Sequence, residues 1–248
     1  MANTETVQKV IPFKESKLSK KEQIASMFDQ IAGRYDFMNH FMSLGIDHIW
    51  RRIALQQLKS LKPKNMLDVA TGTGDFAIRA NKTLNPDKIT GIDISEGMLE
   101  LGRQKIEKLG LSHKITLQAG DSETITFPDE TFDAITVAFG VRNFENLEKG
   151  LSEMRRVLRP GGKVVILEFS NPTAFPVKQL YNFYFRYITP LIGKYIAKSE
   201  AAYSYLPDSV KAFPQGQAMV SILNGLGFQS VTCKTLTFGI CSVYCATR

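Results

Sequence analysis

The stretch that decides the fold is Leu67-Asp68-Val69-Ala70-Thr71-Gly72-Thr73-Gly74-Asp75, in which an apolar strand runs into a Gly-x-Gly turn. Glycine at both turn positions lets the backbone bend tightly and lets a ligand approach the main chain. Taken alone, Gly72-x-Gly74-x-x-Ala77 also fits the relaxed dinucleotide fingerprint. The glycines by themselves therefore predict a ligand-binding loop and identify no cofactor.

Short apolar runs alternate with helix-like segments after this loop. The predicted strands are 66–70, 88–93, 114–119, 132–139 and 163–169, and the predicted helices lie near 75–84, 96–109 and 146–158. This alternation indicates βαβ units and a parallel sheet that is covered on both faces. Two further strands, 227–238 and 240–247, are joined by a tight turn, which requires antiparallel pairing. We predict an α/β fold with a mostly parallel, seven-stranded sheet that ends in an antiparallel hairpin.

Two helices are predicted before the first strand. The segment 19–22 (Ser-Lys-Lys-Glu) has the pattern of a capping box, and we expect the helix that follows to end at Gly33. The second helix is expected to begin after Asp47. The chain is expected to form a single domain, 1–248, with an N-terminal helical cap (1–60), a core (61–172 and 216–248) and a helical aromatic insert (173–215).

Acidic residues follow the first three predicted strands, at Asp68, Asp93 and Asp121. The carboxylate of Asp93 can accept two hydrogen bonds from ribose hydroxyls. Asp121, with Ser122 beside it, can accept from an adenine amino group, although it can also simply cap a turn. Three such acids with a threonine in the loop resemble the S-adenosylmethionine site of class I methyltransferases. The resemblance implies S-adenosyl-L-methionine as the cofactor, bound by Asp68, Thr71, Gly72, Gly74, Asp93, Asp121 and Ser122.

Three further stretches resemble one family of methyltransferases. They are 35–51, which begins Tyr-Asp-Phe-Met-Asn-His; 139–143 (Phe-Gly-Val-Arg-Asn); and 156–172, which contains Leu-Arg-Pro-Gly-Gly and Leu-Glu-Phe-Ser-Asn-Pro. In this order they are similar to the quinone-biosynthesis C-methyltransferases, that is, demethylmenaquinone methyltransferases and the related ubiquinone-pathway methylases. The likeness covers residues 20–248. It implies a Rossmann-like class I fold and methyl transfer to a ring carbon of a polyprenylated quinol, with demethylmenaquinol favoured.

The resemblance also implies Arg142, Asn143 and Tyr35 as the catalytic set. A guanidinium stays protonated in proteins, so Arg142 is expected to stabilise the developing phenolate or act on an ordered water. Tyr35 is expected to pass a proton or to hydrogen-bond the quinol oxygen. A structural salt bridge for Arg142 and simple packing for Tyr35 are the alternatives. His40 and His48 are further candidate bases, although ordinary helix packing also accounts for them.

The insert holds six of the eight tyrosines of the chain, namely Tyr181, Tyr184, Tyr187, Tyr195, Tyr203 and Tyr205. One helical stripe is expected there, formed by Tyr181, Tyr184, Phe185 and Ile188. Pro190 is expected to end or kink this helix. The insert is either a lid packed on the core or, with the N-terminal helices, an apolar channel for an isoprenoid tail. Its aromatic and basic residues also suit an anionic membrane surface, so we predict reversible peripheral contact.

Composition limits the remaining classes of function. The chain has 44% hydrophobic and 22% charged residues, which is typical of a globular protein. The 31 basic and 24 acidic residues give a net charge of +7, which first suggests nucleic acid or an anionic surface. The sequence lacks an RNA-recognition signature and a basic-aromatic platform, so we expect no nucleic-acid partner. The three histidines and three cysteines lack metal-ligand spacing, and no metal is expected.

No apolar stretch is long enough to span a membrane, and the first residues do not form a secretory signal. A cytoplasmic location, with contact at the inner face of the membrane, is therefore expected. Several alternatives stay open: a benzoquinol or another lipophilic aromatic acceptor, a homodimer, and a nicotinamide-dependent oxidoreductase. The terminal hairpin and Asp121 count against the oxidoreductase.

Overall fold

The structure, a computed structural model, describes residues 10–184, 187 and 200–248. Within them, one sheet is formed by β1 (Asn65–Val69), β2 (Lys88–Asp93), β3 (Ile115–Ala119), β4 (Phe132–Ala138), β5 (Leu158–Phe169), β6 (Gln229–Leu236) and β7 (Cys241–Thr247). The strand order is β3-β2-β1-β4-β5-β7-β6. Strands β1 to β5 pair in parallel, and β7 runs antiparallel to both β5 and β6. The predicted fold is confirmed, and the order reverses at β1 and β4, where such sheets bind ligands.

The helices of the described residues are α1 (Lys20–Met42), α2 (Asp47–Gln56), α3 (Asp75–Leu84), α4 (Glu96–Lys108), α5 (Leu147–Val157), α6 (Val177–Phe183), α7 (Glu200–Ala212) and α8 (Gln217–Gly225). The predicted capping box begins α1: the Ser19 N–H donates to Glu22 Oε2 (2.8 Å), and the Glu22 N–H donates to Ser19 Oγ (3.3 Å). A short 3₁₀ turn, Val141–Asn143, follows β4. This turn carries two of the predicted catalytic residues.

The expectation that the first helix ends at Gly33 is wrong, because α1 continues to Met42. Gly33 is exposed, and a Cβ built there would meet no atom within 4 Å. A glycine inside a helix costs only about 1 kcal/mol, which the tertiary contacts of a long helix easily offset. The chain turns instead at Gly45, which has a φ of +74° and donates its N–H to the carbonyl of His40 (2.8 Å).

Helices cover both faces of the sheet. On one face Leu151 of α5 and Leu223 of α8 belong to a buried cluster with strand residues such as Ile166. On the other face Leu55 of α2 and Phe76 of α3 belong to a second cluster. These helices do not cover the carboxyl ends of the parallel strands. The helices α1, α6 and α7 lie at that edge of the sheet instead.

The insert is described in part, by α6 and α7. Phe185 and Ile188 of the predicted stripe lie outside the described residues, as do Pro190 and Tyr195. The side chain of Tyr203 is also outside them. No helix in the described part of the chain is long and apolar enough to cross a membrane.

Candidate active site

Two cavities lie at the carboxyl ends of the parallel strands. The larger has a volume of about 530 Å³ and is formed by α1, α6, α7, the end of β5 and the β6–β7 turn. The smaller has a volume of about 70 Å³ and is lined by residues that follow or end β1, β2, β3 and β4. Phe28 and Tyr35 of α1 line both cavities. The two spaces therefore adjoin, with α1 as their common wall.

Asp93 and Gly72, both predicted to bind the cofactor, line the smaller cavity. The Gly72 N–H donates to Asp93 Oδ2 (2.8 Å), and the Ser95 N–H donates to Asp93 Oδ1 (2.9 Å). Burial raises the pKa of the Asp93 carboxyl, whereas these backbone donors oppose the shift. Gly72 has a φ of +56°, a conformation that favours glycine. The carboxylate thus fixes the glycine loop and faces the cavity at the same time.

Asp68, Thr71 and Gly74 do not line the smaller cavity. Asp68 is buried and accepts hydrogen bonds from Thr71 Oγ1 and from Thr136 Oγ1, each at 2.6 Å. Burial raises the pKa of Asp68 to about 6. Gly74 has a φ of +79°, and a Cβ there would lie 3.3 Å from Leu117 Cδ1. These three residues therefore contribute to the conformation of the glycine loop without lining the cavity.

Asp121 and Ser122 line the smaller cavity together with Lys21 of α1. Lys21 Nζ lies 2.5 Å from Asp121 Oδ2, and the Glu123 N–H donates to Asp121 Oδ1 (2.9 Å). Although burial alone would raise it, these partners hold the pKa of Asp121 below its ordinary value. Asp121 therefore caps a turn, as the alternative interpretation has it, and also points toward the cavity. No motif or spacing in the sequence indicated that Lys21 lies at this site.

The groups around the smaller cavity fit an adenosyl cofactor. Carboxylates accept hydrogen bonds from ribose hydroxyls and amino groups, and the apolar side chains of Ile94 and Met98 provide a wall for a ring. Gly140 lies so close to the loop that a Cβ would come within 2.5 Å of Ala70 Cβ. The backbone of β4 and that of the glycine loop can approach this closely only because residue 140 lacks a side chain.

Arg142 lines the larger cavity, and its neighbour Asn143 lines the smaller one. Arg142 Nη1 lies 2.9 Å from Glu168 Oε1 and also donates to the carbonyl of Phe139. Its Nε is buried and has no hydrogen-bond partner among the described residues. Glu168, missed by our sequence reasoning, is fully buried, and burial raises its pKa against the opposing charge of Arg142. A charged residue inside the apolar run 163–169 was the signal that could have identified it.

Tyr35 packs edge-to-face on Phe28, with ring centroids 5.7 Å apart. Burial raises the pKa of Tyr35, although the positive charge of Arg142 opposes the shift. Tyr35 therefore stays protonated near neutral pH. Tyr205 of α7, only 4% exposed, donates its hydroxyl hydrogen to Asn143 Oδ1 (3.1 Å). Burial raises the pKa of Tyr205 to about 12.

The larger cavity is mainly aromatic and aliphatic. The rings that line it include Trp50, Phe169, Tyr181 and Tyr184. Trp50 donates its indole N–H to Thr237 Oγ1 (2.7 Å) and packs edge-to-face on Phe169. Such a cavity suits a flat, apolar ring with few polar groups.

His40 and His48 line neither cavity. They lie against each other with ring centroids 4.3 Å apart, and their nitrogens come within 4.8 Å of a carboxylate oxygen of Asp47. Two guanidinium groups pair with this cluster: Arg51 with Asp47, and Arg79 Nη2 with His48 Nδ1 at 2.9 Å. We interpret the cluster as an ion-pair network that joins α1, α2 and α3.

The family model described as the ubiE/COQ5 methyltransferase family matches residues 16–248. The chain belongs to this family. A demethylmenaquinone methyltransferase of Bacteroides fragilis is 53% identical over 229 residues, which cover 92% of this chain and 94% of the relative. The "Ubiquinone/menaquinone biosynthesis C-methyltransferase UbiE" of Geotalea daltonii is 48% identical, with coverage of 92% and 97%. The enzyme is thus an S-adenosylmethionine-dependent methyltransferase, and the predicted family is confirmed.

Solved structures show the same fold at low sequence identity. A SAM-dependent methyltransferase from Thermotoga maritima is 19% identical, with a TM-score of 0.59 and coverage of 90% of this chain and 98% of that chain. The [4+2]-cyclase SpnF is 14% identical, with a TM-score of 0.61 and coverage of 93% and 97%. Because one neighbour is named a cyclase, the fold alone does not determine the reaction.

Proposed function

We propose that the enzyme transfers a methyl group from S-adenosylmethionine to a ring carbon of demethylmenaquinol, giving menaquinol and S-adenosylhomocysteine. The observation that carries the proposal is the pair of adjoining cavities, one small and lined in part by acids, the other large and aromatic, which meet at Tyr35. The relatives from Bacteroides fragilis and Porphyromonas gingivalis, the latter 40% identical, are both named demethylmenaquinone methyltransferases. These names favour the naphthoquinol over a benzoquinol.

Asp93 would hold the ribose hydroxyls of the cofactor, and Asp121 with Ser122 would accept from the adenine amino group. Asp68, Thr71 and Gly74 would support the loop that ends at this site. Sites for small molecules typically have volumes of about 300–1,000 Å³. The smaller cavity is only about 70 Å³, so it would have to widen to hold the cofactor, and the Lys21–Asp121 contact lies on its wall.

The bound cofactor supplies a methyl group on a sulfonium. On transfer, the methyl carbon would leave the sulfur as its bond to the ring carbon forms, and the proton displaced from the ring carbon would pass to solvent water. Ionisation of the neighbouring quinol hydroxyl makes that carbon far more nucleophilic. Arg142 would stabilise the resulting phenolate, and Tyr35 would donate a hydrogen bond to the same oxygen and hold the ring in line.

The acceptor is tested by incubating the purified enzyme with labelled S-adenosylmethionine and a demethylated naphthoquinol or benzoquinol. We expect label in the naphthoquinol product, with transfer to the benzoquinol slower. Titration with S-adenosylhomocysteine and with NADH in parallel should show binding of the former alone. If the enzyme binds S-adenosylhomocysteine but labels neither quinol, another aromatic acceptor is the substrate. NADH binding would favour an oxidoreductase.

The mouth of the larger cavity supports a second part of the proposal, namely peripheral contact with the inner face of an anionic membrane. Leu44, Leu180 and Phe238 line this cavity and are 82%, 66% and 78% exposed. Phe175 and Phe183, close to Leu180 in sequence, are exposed as well. Apolar side chains exposed around a cavity favour insertion at a lipid surface, and a net charge of +7 adds attraction to anionic headgroups.

Flotation with anionic vesicles at low salt should carry the enzyme to the top of the gradient, and high salt should reduce this binding. Leu180→Asp and Phe238→Asp are expected to lower the bound fraction severalfold. Leu109→Asp is the matched control, since Leu109 is 54% exposed but lies at the end of α4 and lines neither cavity. Absence of flotation, or an equal loss in the Leu109 variant, would reject membrane contact through this rim.

A further inference from the structure

Two buried side chains fix the adjacent residues Arg142 and Asn143 from opposite sides. Glu168, with 0% exposure, lies at the end of β5 and accepts three hydrogen bonds from the chain. The donors are Arg142 Nη1 (2.9 Å), the Arg142 N–H (3.3 Å) and the Phe169 N–H (2.8 Å). Glu168 therefore holds both the guanidinium group and the backbone of the 3₁₀ turn.

Tyr205 holds the second residue of the pair. Its hydroxyl reaches Asn143 Oδ1 from α7, far away in the sequence. When the oxygen of an amide side chain accepts from a fixed hydroxyl, the opposite edge presents the NH₂ group. Tyr205 thus selects which end of Asn143 faces the cavity.

Both contacts have the same consequence for the polarity of the site. Glu168 and the carbonyl of Phe139 both engage Nη1 of Arg142. Nη2 has no hydrogen-bond partner among the described residues and remains as a further donor of a side chain that lines the larger cavity. Tyr205 engages the acceptor atom of Asn143 and leaves its donor. The pair then presents N–H groups on the side away from Glu168 and Tyr205, which suits an oxygen that becomes negative during the reaction.

We propose that Glu168 and Tyr205 are positioning residues, which orient Arg142 and Asn143 as two hydrogen-bond donors at the junction of the two cavities. This inference rests on the proposed methylation of a quinol. The donors serve the acceptor oxygen next to the methylated carbon. Glu168 lines neither cavity, whereas Tyr205 lines the larger one, and its assigned role is the contact with Asn143. Because the pair contributes donors only, it stabilises the phenolate and does not itself take up the proton.

Glu168→Gln is expected to lower kcat about 100-fold, because a misplacement of about 1 Å in a catalytic group has an effect of this size. Tyr205→Phe is expected to lower kcat about tenfold, the effect of one neutral hydrogen bond. The dissociation constant of S-adenosylhomocysteine should change less than twofold in Glu168→Gln, because Asp93 and the glycine loop are untouched. In Tyr205→Phe it should change much less than kcat does, although Asn143 also lines the smaller cavity. A fall in kcat with little change in cofactor affinity distinguishes a positioning role from general damage to the fold.

Double variants test whether each residue acts through its partner. Adding Glu168→Gln to Arg142→Ala, or Tyr205→Phe to Asn143→Ala, should cause no further loss of kcat beyond the single catalytic variant. Losses that multiply in the double variants would show independent structural roles and overturn the proposal. If Glu168→Gln fails to fold, the Tyr205 and Asn143 pair carries the test alone.

Two matched controls remove similar interactions elsewhere. Asp133 at the start of β4 accepts from the Lys64 and Asn65 N–H groups and from Arg159, the same pattern that surrounds Glu168. Tyr244 is a buried tyrosine that accepts from the Gly216 N–H. Asp133→Asn and Tyr244→Phe should keep kcat within about twofold. Wild-type turnover of demethylmenaquinol is measured first: its absence contradicts the proposed function, whereas turnover that survives in Glu168→Gln and Tyr205→Phe contradicts this inference.

Discussion

Replacing Arg142 by alanine is expected to lower kcat about 1,000-fold, while S-adenosylhomocysteine binds with nearly unchanged affinity. Loss of one donor that stabilises a developing oxyanion typically costs about 100- to 1,000-fold. Arg142 is a strong case because its guanidinium is charged and its side chain is only 6% exposed. It lines the larger cavity and not the smaller one, so the effect should fall on the transfer step.

Isothermal titration with S-adenosylhomocysteine and single-turnover transfer to the quinol check this prediction together. The alanine variant leaves Glu168 buried without its partner, and breaking such a pair costs about 3–5 kcal/mol of stability. Arg142→Lys keeps a positive charge near Glu168 but lacks the second, planar set of donors. It should fold, bind S-adenosylhomocysteine and still turn over poorly. Wild-type turnover in a folded Arg142 variant would remove this residue from the catalytic set.

The strands of the sheet could be predicted because the local pattern of apolar residues determines where they lie. In β1, β2 and β4, buried apolar residues follow one another in short runs, and the predicted bounds of β2 agree with the structure residue by residue. Gly33 shows the limit of such reasoning. Its position suggested a helix end, yet α1 continues for nine more residues, to Met42. The helix also packs against α4 and α7, and tertiary contacts of this kind carry no signal in local propensity.

The candidate site was predictable where its residues follow a strand and hidden where they meet only in three dimensions. Gly72 and Asp93 lie at strand ends, so chain order alone places them together. Lys21 reaches Asp121 across 100 positions of sequence, and periodicity carries no information about such a pair. The contact of Tyr205 with Asn143 is of the same kind. Glu168 is the intermediate case, because its position in an apolar strand signals burial but does not reveal its partner.

Asp93→Asn is expected to weaken the binding of S-adenosylhomocysteine about 100-fold. The carboxylate accepts from the N–H groups of Gly72 and Ser95, and an asparagine turns one of its two acceptor atoms into a donor. One backbone N–H of the loop then faces an NH₂ group and loses its partner, at a cost of about 1–3 kcal/mol, and the proposed contact with a ribose hydroxyl is lost as well. The glycine loop should open while the sheet stays intact.

The pH dependence of binding gives this prediction a second readout. Because burial raises the pKa of Asp93, the carboxyl takes up a proton at a higher pH than an ordinary aspartate. A protonated carboxyl cannot accept from both backbone donors and the ribose, so the affinity of the wild type should fall as the pH is lowered through that raised pKa. The amide side chain of the Asp93→Asn variant cannot titrate. The part of the pH dependence that is due to residue 93 should therefore disappear. The titration of Asp68 remains in the variant but moves to lower pH, because the charge of Asp93 is one of the causes that raise the pKa of Asp68.

Asp87→Asn is the matched control, since Asp87 is exposed just before β2, at the opposite end of the strand from Asp93. It should bind S-adenosylhomocysteine as the wild type does at every pH. Calorimetric titrations of the three proteins between about pH 4 and pH 8 (a range of about two units on either side of the Asp68 pKa of about 6) make the comparison. An Asp93→Asn variant that binds normally would mean that the backbone of the glycine loop, and not this carboxylate, holds the cofactor.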